Sequence, residues 1–165
     1  MKKLLIILVL LAAVSLVGAK TTARPLIEIG PKATLYMDHE YQFGIGAEAV
    51  VNPLRCIGFR LDLAEIIFDP TTFHLNREGS LDAFIYLPLR NISFQLYFHS
   101  GIALTVYETG TGTEKRYSIR GGVGLNYPLN PNTHLFVEPG IIFLGNGETD
   151  IPLRLSAGAR FGIID

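Results

Sequence analysis

The sequence has little lysine, one cysteine and no tryptophan, and these shortages exclude several classes of protein. Beyond position 20 the only lysines are Lys32 and Lys115, whereas a soluble domain normally exposes many. Charged residues make up 18% of the chain, compared with about 25% in average soluble proteins. The single cysteine, Cys56, excludes an internal disulfide and any metal site built from several cysteines. The net charge of -1 and the lack of a basic run argue against a nucleic-acid-binding protein.

A long apolar run occurs only at the start of the chain. Lys2 and Lys3 precede an apolar stretch from Leu4 to Val17, and small residues follow as far as Ala19. This order is typical of a secretory signal peptide. The apolar stretch is shorter than the roughly 20 residues that a membrane-spanning helix needs. The sequence therefore predicts a cleaved signal peptide over 1–19 and one domain over 24–165, in which any membrane crossing is made by strands.

The final stretch, Ile151 to Ile164, alternates with a period of two. Its odd positions are all apolar, while its even positions include Arg154, Arg160 and small residues such as Gly158. Successive side chains of a β-strand point to opposite faces of a sheet, so this pattern predicts a strand with one purely apolar face. At about 3.3 Å per residue, such a strand could cross a bilayer core even when it is tilted.

The same alternation recurs along the whole chain and predicts eight strands. Tight turns that contain Pro53-Leu54, Pro88-Leu89 and Pro128-Leu129 alternate with links that are more polar and mostly longer. Short turns at one end and longer loops at the other are typical of outer-membrane barrels. We therefore predict an all-β fold, an eight-stranded antiparallel up-and-down transmembrane β-barrel. The predicted strands are 27–37, 41–51, 56–68, 80–87, 92–107, 116–127, 134–143 and 151–164.

The third predicted strand departs from strict alternation near its end. Ile67 falls on the apolar phase and Ala64 on the opposite phase, while Glu65 interrupts the apolar phase. A charge on the lipid-facing side costs little only near the membrane surface. We therefore expect Glu65 at the membrane rim and Ile67 facing lipid. The polar stretches 69–79 and 108–115 are expected to be loops.

Alternation alone does not say which face points outward, because a soluble lipocalin-like barrel alternates too, with its apolar face inside. The charges on the polar faces favour the membrane arrangement, since five acids and five bases suit a closed interior in which each charge has a partner. A narrow barrel also needs the small residues that share these faces. The predicted lumen charge network consists of Glu28, Lys32, Glu48, Arg60, Asp62, Asp82, Arg120, Glu138, Arg154 and Arg160.

No catalytic or metal site is predicted. His99 and Ser100 are adjacent in a strand and therefore point to opposite faces, so they cannot act together as a base and a nucleophile. His39, His74 and His134 are scattered and do not have the spacing of a zinc site. We therefore expect a protein that is not an enzyme and that binds no cofactor.

The chain resembles the small eight-stranded outer-membrane β-barrels of the OmpA, OmpX and opacity-protein type. The resemblance covers residues from about Arg24 to the end and rests on the strand pattern, the glycine-rich last strand and one turn region. That region is Tyr127-Pro128-Leu129-Asn130 followed by Leu135-Phe136-Val137-Glu138. Barrels of this type usually end in an aromatic residue, whereas this chain ends in Asp165, with Phe161 on the lipid-facing phase.

The resemblance implies a monomer in the outer membrane with a narrow, filled lumen and a structural or adhesive role at the surface. The expected partners are outer-membrane lipid, lipopolysaccharide and the outer-membrane assembly machinery. Two alternatives remain open from the sequence. One is an outer-membrane enzyme that modifies lipid A, and the other is a soluble periplasmic carrier of an apolar ligand.

Overall fold

The chain folds into a closed antiparallel barrel in which each strand pairs with the next and the last pairs with the first. The computed structural model describes residues 24–38, 41–68, 75–87, 94–109, 112–144 and 151–164, so the predicted signal peptide lies outside the described part. The barrel is the predicted eight-stranded fold. Its strands are β1 Ile27–Met37, β2 Tyr41–Leu54, β3 Ile57–Phe68, β4 Leu75–Tyr86, β5 Gln95–Thr109, β6 Gly112–Asn130, β7 Thr133–Leu144 and β8 Leu153–Ile164.

The alternation of the sequence becomes an alternation of burial. On β1, Glu28 and Lys32 are buried inside the barrel, whereas Ile29 on the opposite face is 44% exposed. On β8, Arg154 is buried and the neighbouring Leu155 is 39% exposed. The apolar face therefore points outward, which is the reverse of a soluble globular protein. Among the described residues, no helix is long and apolar enough to cross a membrane.

The two ends of the barrel differ. At one end, Arg55-Cys56 joins β2 to β3 and Pro131-Asn132 joins β6 to β7. The start of β1 and the end of β8 lie at this same end. The links at the opposite end span 38–40, 69–74, 110–111 and 145–152. We call these the turn end and the loop end. The predicted turn at Pro88-Leu89 lies outside the described residues.

β3 contains a β-bulge, which reverses the facing of the side chains that follow it. From Asp62 to Glu65, β3 advances three residues while its partners β2 and β4 each advance two. Leu63 and Ala64 are both exposed as a result, and Glu65 and Ile67 face the lumen with exposed fractions of 0% and 3%. The predictions that Glu65 lies at the rim and Ile67 faces lipid were wrong, because the break in alternation at Glu65 marks a bulge, after which inward and outward positions are exchanged.

Two predicted loops are shorter than expected because the strands continue into them. β4 begins at Leu75, inside the stretch 69–79, and the β5–β6 hairpin reaches the pair Thr109 and Gly112, inside the stretch 108–115. Threonine favours extended backbone, and ladder hydrogen bonds satisfy the backbone of polar segments that extend beyond the apolar band. At the turn end, β2 likewise runs on to Leu54, so most of the predicted turn 52–55 is strand.

Candidate functional site

The lumen is the candidate site, because it gathers nearly all the buried charge of the described chain. All ten charged residues that the sequence assigns to the lumen lie inside the barrel, and none is more than 2% exposed. They come from seven different strands. Charge burial on this scale is tolerated only where each group has partners of opposite sign and hydrogen bonds. The contacts form three layers along the barrel.

The layer at the turn end is centred on Glu28. Its carboxylate accepts a hydrogen bond from Asn52 Nδ2 at 2.8 Å and lies 2.8 Å from His134 Nδ1. Tyr86 donates to Asn52 Oδ1 at 3.0 Å, and the guanidinium of Arg24 stacks 3.7 Å from the centre of the Tyr86 ring. Arg24 also lies 4.0 Å from Glu28 and donates to Gln95. These side chains close the lumen next to the first residues of β1.

The middle layer joins opposite walls of the barrel through two carboxylates. Glu138 on β7 lies 2.5 Å from Arg60 on β3 and 2.7 Å from Arg160 on β8. Glu48 on β2 binds the same two arginines, at 3.2 Å and 2.5 Å. Tyr97 donates a further hydrogen bond to Glu138 at 2.5 Å. Each of the two carboxylates therefore bridges the same two arginines, which is the arrangement that buried charges require.

Aromatic rings fill the space beside this middle layer. The guanidinium of Arg160 lies 4.1 Å from the centre of the Phe136 ring and 5.2 Å from that of Phe84. Phe84 also packs on Tyr97, with 5.1 Å between ring centres. Stacking of arginine on aromatic faces adds attraction without leaving a void. Rings and guanidinium groups therefore occupy the middle of the lumen together.

The layer towards the loop end contains most of the carboxylates. Arg120 donates to both oxygens of Asp82, at 2.9 Å and 2.8 Å, to Glu78 at 2.6 Å, and also to Asp62. Lys32 lies between Asp62 and Glu65, with its Nζ 2.7 Å and 2.6 Å from their oxygens. Arg60 links this layer to the middle one, because it lies 2.7 Å from Asp82.

The structure adds charges that the sequence reading missed. Glu65 enters the lumen through the bulge in β3, and Glu78 enters because β4 starts earlier than predicted. The described lumen therefore holds seven acids rather than five, against the five predicted bases. Two further groups lie beside Glu28 at the turn end, namely Arg24, whose side chain is 5% exposed, and His134. The predicted balance of five against five was wrong, although both missing acids occupy regular inward positions once the bulge is known.

His99 and Ser100 lie on opposite faces, as predicted. His99 is 4% exposed inside the lumen, while Ser100 is exposed on the outer surface. Neither ring nitrogen of His99 has a hydrogen-bond partner among the described residues. No group of three or more His, Cys, Asp or Glu side chains that could hold a metal ion occurs in the described part of the chain. Chemically, the arrangement is a buried network of ion pairs with aromatic rings packed against it.

Comparison with known proteins finds similar structures but no similar sequences. No family model matches the chain, and no curated protein matches its sequence. The N-terminal β-barrel domain of Pseudomonas aeruginosa OprF is 14% identical with a TM-score of 0.62, covering 81% of this chain and 96% of that one. Neisserial surface protein A (NspA) is 16% identical with a TM-score of 0.61, covering 83% and 96%. Ail, the attachment invasion locus protein of Yersinia pestis, is 15% identical with a TM-score of 0.52, covering 82% and 95%.

These structures are small eight-stranded outer-membrane β-barrels, which is the group that the sequence resembles. At such low identity, the likeness extends to the fold. The chain therefore has the fold of the small eight-stranded outer-membrane β-barrels.

Proposed function

We propose that the protein is a monomeric, integral outer-membrane barrel that is anchored in lipid, presents its loop end at the cell surface and catalyses no reaction. Its role is then structural or adhesive. The signal peptide predicted over 1–19 would carry the chain across the inner membrane, and the outer-membrane assembly machinery would insert it. Short turns of such barrels face the periplasm, so the loop end would face outward.

The observation that carries this proposal is the reversed polarity of the barrel. Large apolar side chains cover the outside of every strand, with Phe59, Ile102 and Ile119 exposed by 47%, 63% and 58%. The ten charged side chains of the predicted network are sequestered inside. A water-soluble protein rarely exposes a continuous apolar belt, because such a surface drives association. The same belt is what a barrel in lipid requires.

The height of the apolar belt fits a membrane. On β6, Tyr117 and Tyr127 are both exposed, by 67% and 51%, and bracket an outward face that contains Ile119, Val123 and Leu125. Ten steps of about 3.3 Å along a strand tilted by about 40° give a height of about 25 Å, which is the height of the apolar band in outer-membrane barrels. The two tyrosines then correspond to the aromatic girdles at the two interfaces.

A closed lumen follows from the three layers of contacts. Arg60, Arg160 and Glu138 meet in the middle of the barrel, and Phe84 and Tyr97 fill the space beside them. We therefore propose that the barrel does not form a wide pore. An apolar ligand would have to displace buried ion pairs, which does not suit a soluble carrier. His99 and Ser100 lie on opposite faces, so they lend no support to a lipid A-modifying enzyme.

An adhesive role rests on the neighbour Ail, which is named for attachment and invasion and has been crystallised with the heparin analogue sucrose octasulfate. The likeness to Ail is one of fold, so adhesion by this chain is an expectation to be tested. Cells that express the protein should be compared with vector controls for retention on heparin-coated plates. Equal retention would favour the purely structural role.

The location is tested by fractionation combined with gel mobility. The protein should be recovered with outer membranes, dissolve only with detergent and migrate differently in boiled and unboiled samples. Recovery in the aqueous periplasm would overturn the proposal.

In planar bilayers, the purified barrel should give no large steady conductance, and porin-sized channels would contradict the closed lumen. For the enzymatic alternative, the lipid A profile of cells with and without the protein is decisive, and an altered profile would overturn the non-catalytic role.

A further inference from the structure

An apolar groove of about 830 Å³ runs across the outer surface of β3, β4, β5 and β6. Its walls are large outward side chains, including Leu61, Leu81, Ile102 and Ile119. These side chains are between 49% and 63% exposed. The groove lies in the half of the barrel that is nearer the loop end, since Tyr117 and Gly79 also line it. A surface that faces lipid is therefore not smooth here but has a depression of the size of an acyl chain or larger.

Two features of the sequence create the groove. Gly79 has no side chain on the outward face of β4, and a Cβ added there would have only the carbonyl oxygen of Asp62 within 4 Å, at 3.7 Å. On β3, the bulge turns the small residue Ala64 outward, next to Leu63, which already faces outward. The floor of the groove thus consists of a glycine and an alanine between walls of leucine and isoleucine.

Two basic side chains border the groove on the side of the loop end. Arg77 on β4 pairs with Val106 on β5, and Val106 pairs with Lys115 on β6, so the three residues form one row across neighbouring strands. Gly79 and Leu104 form the next row towards the membrane centre. Both Arg77 and Lys115 are exposed. With strands about 4.8 Å apart, their Cα atoms are separated by about 10 Å.

We propose that this surface binds the lipid A part of lipopolysaccharide, with acyl chains in the groove and phosphate groups at Arg77 and Lys115. The inference rests on the proposed outer-membrane location, in which the loop end faces the outer leaflet. Basic side chains at a membrane interface attract anionic headgroups, and arginine binds phosphate in a bidentate manner. Two cationic residues whose Cα atoms lie about 10 Å apart, above one wide groove, suit a lipid with several acyl chains and more than one phosphate better than a phospholipid with a single phosphate.

Charge complementarity distinguishes this surface from an ordinary lipid-facing wall. Lys115 is one of only two lysines beyond position 20, and it pairs with Val106, which lines the groove. The other, Lys32, is buried in the lumen. On β6 the neighbouring Glu114 is paired with Arg116, at 3.1 Å, on the opposite face of the strand.

The test is native mass spectrometry of the full chain in detergent, titrated with purified bisphosphorylated lipid A. The wild type should bind lipid A at least about tenfold more tightly than dephosphorylated lipid A or phosphatidylglycerol, because two cations contribute. The double variant Arg77→Ala/Lys115→Ala should lose that preference. Gly79→Trp should fill the groove and weaken binding by about tenfold or more, since the acyl chains lose their contact surface.

Matched controls separate the site from general lipid binding. Arg55→Ala removes an exposed cation at the turn end, and Ala157→Trp adds a bulky side chain on β8, which is opposite β4 in the barrel. Both should bind like the wild type, and Lys115→Arg should keep the preference. The proposal is overturned if the wild type does not prefer lipid A, or if the Arg77 and Lys115 double variant binds like the wild type. Gel mobility before and after boiling verifies that each variant is folded. Since the assay uses detergent, failure of lipid binding is separate from failure of the proposed location.

Discussion

Glu138 on β7 and Arg60 on β3 are joined across the barrel, with 2.5 Å between Oε2 and Nη1. In a ring of eight strands, β3 and β7 are diametrically opposite, so this ion pair ties the two halves of the wall together. Arg160 on β8 holds the other oxygen of Glu138 at 2.7 Å. A contact of this kind holds the two walls at a fixed separation as well as neutralising charge, because neither strand can move outward without breaking a buried ion pair.

Glu138→Gln should therefore destabilise the barrel strongly. The substitution keeps the shape of the side chain but leaves Arg60 and Arg160 with less compensation inside the lumen. Loss of one partner of a buried ion pair typically costs about 3 to 5 kcal/mol. The measurement is urea unfolding in detergent or lipid, followed by the mobility of unheated samples on a gel. Glu114→Gln provides the matched control, since its pair with Arg116 is solvent-exposed and should contribute less than about 1 kcal/mol. Similar losses in both variants would contradict the structural role of the cross-barrel pair.

Lys32 should contribute more to the stability of the folded barrel than either of its carboxylate partners does. Its ammonium group lies between Asp62 and Glu65, at 2.7 Å and 2.6 Å, in a layer with more acids than bases. Lys32→Met should reduce the free energy of unfolding by about 3 to 5 kcal/mol, because it leaves two carboxylates with less compensation. Adding Glu65→Gln should restore part of the loss by removing one of the two negative charges. A double variant that is less stable than Lys32→Met alone would argue against this assignment.

The side chains that face the lumen could be predicted where the strands alternate regularly, and only in part elsewhere. Arg60 and Arg120 fall on polar phases of long alternating strands, so the period of two sets their face and the balanced charges of that face place it inside. Their partners do not, because Arg60 and Glu138 are 78 residues apart and a sequence pattern carries no information on depth within the barrel. Glu65 was assigned to the wrong face since the bulge adds a residue without a turn signal. Glu78 was assigned to a loop because its segment is polar on both faces.

The bulge in β3 can be tested by deleting single residues from that strand. Removing Ala64 should restore strict alternation in β3, with Asp62 and Glu65 still inside and Ile66 still outside. The variant should fold, and its unheated sample should migrate like that of the wild type. Deleting Leu61 is the control, because that change shifts Asp62 to the lipid face unless the strand re-registers. We expect this second variant to fail in assembly. If both deletions were tolerated equally, the assigned register of β3 would be wrong.

The outward face of β6 predicts that the cost of an added charge depends on its depth in the membrane. Val123 lies between Tyr117 and Tyr127 on the same face, near the middle of the apolar belt. Val123→Arg should cost about 2 to 4 kcal/mol of folding free energy in lipid, whereas Tyr127→Arg at the interface should cost about 0 to 1 kcal/mol for its charge. Unfolding in lipid vesicles measures both variants. A larger cost at Tyr127 than at Val123 would contradict the proposed position of the membrane.

Tyr97 and Gly124 are directly paired on β5 and β6, and the ring covers the glycine. A Cβ at Gly124 would lie 2.1 Å from Cζ of Tyr97, and the ring cannot shift freely because its hydroxyl binds Glu138 at 2.5 Å. Gly124→Ala should therefore cost about 1 to 3 kcal/mol, the usual cost of overpacking. In a Tyr97→Ala background the same change should cost little, since the obstructing ring is gone. Gly121→Ala is the control on the same strand, because the atom nearest to its Cβ would be the carbonyl oxygen of His99 at 3.4 Å, and Ser100 Oγ would lie 3.8 Å away. Equal costs of Gly124→Ala in the two backgrounds would show that the ring does not need the glycine, and the middle layer of the lumen would then be less tightly filled than its contacts indicate.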